Sequence, residues 1–132
     1  MRKIFVDTSG FYALLDGTDP FHEASRRCFE LAESDGFRLI TTSYVVHEPW
    51  ALIQRRLGWV ALDSFLQDLL PRCEIVYVDQ ALHIAGETRC RDVRERRFSL
   101  TDAVSLECMK QGGLSEAIAE DEHFRRDGVR LP

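Results

Sequence analysis

Four acidic residues stand out by where they fall in the chain: Asp7, Glu48, Asp102 and Asp121. Asp7 ends the run Ile4-Phe5-Val6 and is followed by Thr8 and Ser9. Three consecutive apolar, β-favouring residues read as a short strand buried on both faces. Asp7 then sits at the carboxyl end of a core strand, where open α/β sheets place their ligand crevice. A carboxylate there is costly unless a cation or a hydrogen-bond donor meets it. Asp121 follows a second small apolar run, Ala117-Ile118-Ala119. Glu48 falls in the helix after a predicted strand, and Asp102 in the first turn of a helix opened by Ser99-Leu100-Thr101. In a parallel sheet these positions share one edge, so four carboxylates distant in sequence converge. Carboxylates without His or Cys suit the hard cations Mg²⁺ or Mn²⁺, which bridge to substrate phosphates. Such an ion polarises a phosphoryl oxygen and acidifies a bound water.

Each acid also has a plainer explanation. Asp7 fits the N-cap of a helix beginning near Ser9, and Asp102 fits a capping box with Ser99. Glu48 reads equally as a solvated helix residue, and Asp121 as part of a solvated acidic turn with Glu120 and Glu122. What sets the four apart is that all recur at strand ends or strand-to-helix junctions.

The elements that must position them follow from periodicity and punctuation. Gly10–Leu15 reads as a short helix, and Asp19-Pro20 as an N-cap with proline at the first helical position of another, closed by Gly36. Residues 37–41 form a second strand. Thr41, Thr42 and Ser43 offer caps for a third helix ending at Gly58, with Pro49 inside it predicting a kink or a late start. A fourth helix spans 59–70, and Ile75–Val78 is a third strand followed by Asp79 as a cap. The helix from Asp102 stops at Gly112-Gly113, and Val129–Leu131 is a candidate final edge strand. Without repeats, low-complexity tracts or linkers, residues 1–132 read as one α/β domain.

Composition removes several classes. With 45% hydrophobic and 30% charged residues the chain is neither disordered nor membrane-spanning. Only three apolar residues follow Arg2-Lys3 before Asp7, too few for a signal peptide, so a cytoplasmic protein is expected. Cys28, Cys73, Cys90 and Cys108 are scattered without metal or disulfide spacing, and the four histidines are scattered as well. The net charge of −5 opposes nucleic-acid binding only at first sight, since metal-binding acids contribute to it. Arg89, Arg91, Arg94, Arg96 and Arg97 crowd together directly before Asp102. Arg94, Arg96 and Arg97 are candidates for tracking a phosphate backbone, against the alternative of a solvated face. Trp50, Trp59, Phe65 and Leu69 are candidates for a dimer or partner groove, against core packing.

Four segments, in this order, resemble the PIN domains and within them the small VapC-type ribonuclease toxins. They are Val6-Asp7-Thr8-Ser9, Glu48, Ser99-Leu100-Thr101-Asp102-Ala103 and Ala119-Glu120-Asp121-Glu122-His123-Phe124. The resemblance implies a three-layer α/β/α fold with a parallel five-stranded sheet of order 3-2-1-4-5. It implies Asp7, Glu48, Asp102 and Asp121 as the catalytic acids, with Asp7, Asp102 and Asp121 as the main metal ligands. Thr8, Ser9 and Thr101 correspond to hydroxyls that support them. Pro49 directly after Glu48 departs from the pattern, and predicts a carboxylate turned from the metal. The function implied is a Mg²⁺- (or Mn²⁺-) dependent endoribonuclease, the toxin of a toxin–antitoxin pair, with RNA as substrate, a small antitoxin as partner and a homodimer as assembly.

Other readings fit less well. A haloacid-dehalogenase phosphatase needs a second Asp two residues after the first, where Ser9 stands. A receiver domain needs an acidic pair after its first strand and a Lys after a late one, whereas Lys110 lies within a helix. A non-catalytic PIN-like scaffold for nucleic acid or protein is the alternative that metal-dependent cleavage separates.

Overall fold

A computed structural model describes residues 2–128 of the chain. Its centre is β1 (Lys3–Val6), whose Ile4, Phe5 and Val6 are all buried. The other strands are β2 (Arg38–Thr42), β3 (Cys73–Val76) and β4 (Ala117–Ile118). All pairings are parallel, in the order β3-β2-β1-β4, with Phe5 opposite Ile40 on one side and Ala117 on the other. The chain builds outward from β1 through β2 to β3, then crosses back to lay β4 on the other side of β1. The order of travel thus reverses between β1 and β4, which is where a crevice opens at the carboxyl ends of the strands.

Seven α-helices are described: α1 (Thr8–Leu15), α2 (His22–Asp35), α3 (Ser43–Arg56), α4 (Trp59–Ser64), α5 (Gln80–Val93), α6 (Leu100–Gly112) and α7 (Glu122–Arg126). None is long and apolar enough to cross a membrane among the described residues. Thr42, Asp79 and Ser99 accept from backbone amides at the starts of α3, α5 and α6, as their sequence contexts predict. The core runs from the β1 triad to Phe11, Phe65, Val104, Ile118 and Phe124, all essentially without exposure. Thr41, buried in β2, donates its hydroxyl to the Val6 carbonyl at 2.9 Å and so fixes the end of β1 from which Asp7 emerges.

Several expectations need correction. The sheet has four strands among the described residues, not five; the candidate strand at 129–131 lies outside them. Asp19 does not cap a helix at Pro20. Its carboxylate accepts from the Phe21 amide at 2.8 Å and closes a turn, and α2 starts only at His22. Pro49 neither ends nor delays α3, which runs unbroken around the buried proline. The predicted fourth helix is three pieces: α4, a π-helical stretch over Phe65–Leu69, and a 3₁₀ turn over Leu70–Arg72 holding Pro71, which lacks the donor an α-helix needs. β3 starts at Cys73, two residues before its apolar run. The aromatic cluster divides: Phe65 packs edge-on against Phe11 at 5.4 Å and Leu69 is also core, whereas Trp50 and Trp59 are exposed.

One glycine sets how closely α1 approaches β4. A Cβ at Gly10 would lie 2.6 Å from the Ile118 carbonyl oxygen, which already accepts from the Asp7 amide at 3.1 Å. The obstacle is backbone and has no rotamer to yield. Gly10→Ala is expected to destabilise by about 1–3 kcal/mol, despite the roughly 1 kcal/mol that alanine gains over glycine in a helix. Gly17→Ala, where nothing lies within 4 Å, should stay within about 0.5 kcal/mol of the parent. Urea titrations of the three proteins measure the contrast.

Candidate active site

A cleft of about 590 Å³ opens at the point where the strand order reverses. Asp7, Glu48, Asp102 and Asp121 all line it, joined by Asp19 and Glu120, with Arg56 and Arg97 also on its walls. The four acids singled out in the sequence are therefore brought to one place. Three helix N-termini meet there as well. Asp7 occupies the N-cap position of α1, Asp102 the first turn of α6 and Asp121 the N-cap of α7. The positive ends of these helices favour carboxylates and any anion bound beside them.

Asp102 and Asp121 do the capping their sequence contexts suggest. Asp102 Oδ2 accepts from the Ser99 amide at 3.0 Å, while Ser99 Oγ accepts from the Asp102 amide at 3.0 Å. Asp121 Oδ1 accepts from the His123 amide at 2.8 Å. Asp7 behaves differently. Its side chain makes no capping bond, and it is only 4% exposed. Its Oδ2 accepts from Ser9 Oγ at 3.1 Å, and its Oδ1 is a buried side-chain oxygen with no hydrogen-bond partner among the described residues. A buried acceptor without a donor is destabilising unless something cationic meets it. That orphaned oxygen, in a cleft of carboxylates, fits a hard divalent ion.

The supporting hydroxyls divide. Ser9 bridges two elements, donating to Asp7 and accepting from the Glu120 amide at 3.0 Å, so it links α1 to the segment after β4. Thr8 donates to Glu48 Oε2 at 3.2 Å, which holds that carboxylate in the cleft despite Pro49 beside it. Thr101 is buried, but its hydroxyl makes no hydrogen bond to the acids among the described residues; Ser99 occupies that role for Asp102.

Sequence reasoning missed His123, Glu95 and Arg56. His123 Nδ1 meets Asp121 Oδ1 at 2.7 Å and Nε2 meets Glu95 Oε2 at 2.7 Å. Ligand atoms of Asp102, Asp121 and His123 lie within 4.8 Å of one another. With a carboxylate at each nitrogen, the imidazole orients Asp121 in the way that outer carboxylate–histidine pairs orient metal ligands. Glu95 first, and Asp121 with it, hold the His123 pKa above its usual value. The one signal available was a histidine two residues after a strand-end acid. Its partner Glu95 was hidden among the arginines.

Of those arginines, Arg97 lines the cleft, while Arg94 and Arg96 are exposed outside it. Arg89 is tied to Glu107 and Asp127 at 3.1 Å each, and Arg91 faces Glu87 at 3.5 Å. Arg56, Arg94, Arg96 and Arg97 have no ion pair among the described residues.

Fold and cleft together define a class, and comparison with known proteins agrees. The chain belongs to the PIN domain family, which matches residues 4–128. A relative from Mycobacterium tuberculosis, the 23S rRNA-specific endonuclease VapC20, is 34% identical over 128 residues, covering 95% of this chain and 94% of its own. The crystal structure of VapC20, described as a sarcin–ricin loop cleaving toxin, superposes with a TM-score of 0.82 at 29% identity over 96% of both chains. VapBC2 from Rickettsia felis, solved on a promoter DNA fragment, gives a TM-score of 0.73 at 12% identity over 98% of this chain and 97% of its own, a likeness of fold.

Burial, then the Asp102 charge, raises the Asp7 pKa to about 7, with Asp121 adding to the shift. Burial also raises Asp102, with Asp121 contributing. The folded pKa of Asp7 thus exceeds the unfolded value of about 4. Its contribution to stability is complete below about pH 4 and is lost as pH rises through 7. In EDTA, Asp7→Asn should therefore gain on the parent between about pH 4 and 7, by as much as about 4 kcal/mol, and hold that lead above. Added Mg²⁺ should raise the parent's Tm and that of the variant much less. Thermal melts across pH, with and without Mg²⁺, test both. A variant less stable than the parent in EDTA, with an unchanged Mg²⁺ shift, would make Asp7 a structural residue only.

Proposed function

We propose that the chain is a single three-layer PIN nuclease domain that hydrolyses RNA phosphodiester bonds with Mg²⁺ or Mn²⁺, as the toxin of a toxin–antitoxin pair. The observation that carries this reading is the unpartnered, buried Asp7 oxygen in a cleft shared with Asp102, Asp121 and Glu48. The choice of RNA is supported by the 34% identical relative named for its action on 23S rRNA. A small antitoxin partner is supported by neighbours solved as VapBC pairs. A homodimer and a cytoplasmic location complete the reading.

Asp7, Asp102 and Asp121 would hold the ion, with Glu48 completing the set directly or through water. When bound, it supplies charge stabilisation at a phosphoryl oxygen and acidifies the attacking water. The chain's own groups do the positioning. Ser9 orients Asp7, Ser99 orients Asp102, Thr8 orients Glu48, and His123 orients Asp121 from the Glu95 side. Arg56 and Arg97, on the cleft walls and without ion pairs among the described residues, would receive phosphates flanking the scissile one. Arg94 and Arg96 extend that track beyond the cleft.

Two measurements test this. Cleavage of a 23S rRNA fragment should require Mg²⁺ or Mn²⁺ and stop in EDTA; cleavage that persists in EDTA would overturn the metal reading. Replacing Arg94, Arg96 and Arg97 together by Ala should flatten the slope of log affinity against log salt by about 2, at roughly 0.7 per phosphate contact on a single strand, and Arg56→Ala by about 0.7. The Mg²⁺-induced Tm shift should not change. Arg89→Ala, which breaks the links to Glu107 and Asp127, should instead lower stability and leave the slope alone.

A further inference from the structure

A second cavity, of about 470 Å³, adjoins the acidic cleft and is bounded by Ser43, Tyr44, His47, Glu48 and Thr101. Glu48 lines both cavities, so the two meet at that residue. The two differ in chemistry. The cleft has guanidinium groups of Arg56 and Arg97 on its walls beside six carboxylates, whereas among the described residues the second cavity has no Lys or Arg and one carboxylate. Once a bound cation offsets the carboxylates of the cleft, Arg56 and Arg97 favour a phosphate there, whereas the lone carboxylate of the second cavity disfavours one. What the second offers is an aromatic ring, an imidazole and hydroxyl groups.

The aromatic ring is held from outside. Tyr44 Oη meets His83 Nδ1 at 2.5 Å, and the two rings pack edge to face at 5.8 Å, so α5 fixes the position of a side chain that begins on α3. The Ser43 hydroxyl accepts from the Val78 amide at 2.9 Å, which ties the same turn to the segment after β3. His47 is exposed at the rim and has no hydrogen bond or ion pair among the described residues. A preset tyrosine with a free imidazole beside it matches a planar, uncharged group with hydrogen-bonding edges. Proteins that seat unstacked bases use aromatic faces and polar side chains of this kind.

We infer that this cavity is a nucleoside subsite, which seats the base next to the scissile phosphate against Tyr44 and reads its edge with His47. The inference rests on the RNA-cleavage reading above. It divides the substrate by charge: the backbone passes Arg56 and Arg97, while one uncharged base turns past Glu48 into the second cavity. Tyr44 and His47 are then specificity-determining residues.

The test is a coupling measurement between protein and RNA. An RNA with one mapped cleavage site is made with an abasic nucleotide at either position flanking the cut, and kcat/KM is measured with Mg²⁺ for the parent, Tyr44→Leu and Tyr44→Phe. In the parent, the abasic change at one of the two positions should cost about tenfold or more. Tyr44→Leu should lose a similar factor on the intact RNA and show no further loss on the abasic one. Tyr44→Phe keeps the ring and should keep the sensitivity. Full abasic penalties in Tyr44→Leu, or no penalty at either position in the parent, would overturn the subsite while leaving the nuclease reading intact. No Mg²⁺-dependent cleavage of any RNA by the parent would take down both. If Tyr44→Leu does not fold, as judged by its Tm, the exposed His47→Ala supplies the same comparison, and additive penalties there overturn the proposal equally.

Discussion

The architecture turns on one unfavourable placement: the Asp7 carboxylate, 4% exposed, with one oxygen lacking a donor among the described residues. Putting a charge in such a position costs several kcal/mol even after relaxation. The fold holds it there because the residues on both sides are locked. Upstream, Ile4, Phe5 and Val6 are the buried centre of the sheet, and their carbonyl and amide groups are committed to β2 and β4. Downstream, α1 begins at once and is pressed onto β4 at Gly10. Asp7 has no freedom to swing into water without unravelling one of these. The raised pKa is the same fact seen as proton affinity: without a cation, the group relieves its strain by binding a proton.

The other acids are placed by a gentler device. Asp102 and Asp121 satisfy the orphan amides at the starts of α6 and α7, which stabilises those helices whatever else the carboxylates do. Each cap uses one oxygen, Oδ2 of Asp102 and Oδ1 of Asp121. The plain reading of these residues as caps and the chemical reading as ligands are therefore not alternatives. Helix formation aims the carboxylates, and the helix N-termini offset part of the repulsion that gathering them creates. Asp7 alone of the three makes no cap bond to a helix amide; its one local partner is the Ser9 hydroxyl.

This explains what the sequence could convey. Strand β1, β4 and the three clearest caps were legible because apolar run, stop residue and cap agree at each. Glu48 was harder: Pro49 argued against a continuous helix, yet α3 accommodates it, and the Thr8 hydroxyl that holds Glu48 lies 40 positions away. Asp19 misled because an Asx turn and an N-cap share the same residue preferences, so Asp-Pro alone does not say which forms. The π-helical stretch after α4 preserves the inward positions of Phe65 and Leu69, so periodicity does not reveal it. His123, Glu95 and Arg56 escaped because their significance lies in who they face, not in what precedes or follows them. The arginine stretch showed the same limit from the other side. Five similar residues divide into paired and unpaired ones only through contacts with Glu87, Glu107 and Asp127.

The charge pattern also resolves how a chain of net charge −5 approaches a polyanion. Six carboxylates and two guanidiniums line the cleft. Even with the Asp7 pKa raised to about 7, such a surface repels phosphate at close range, where screening by salt is weakest. Arg56 and Arg97 are too few to reverse the sign; they fix where a backbone crosses. Attraction then depends on the acids being neutralised, and a divalent ion does this without filling the space the substrate needs. Affinity for the polyanion and affinity for the cation are linked through one set of carboxylates, and the linkage is reciprocal. A cleft this acidic is consequently selective by default. It favours a phosphate only when a cation already offsets its carboxylates, whereas an uncharged group entering the second cavity would not be subject to that condition.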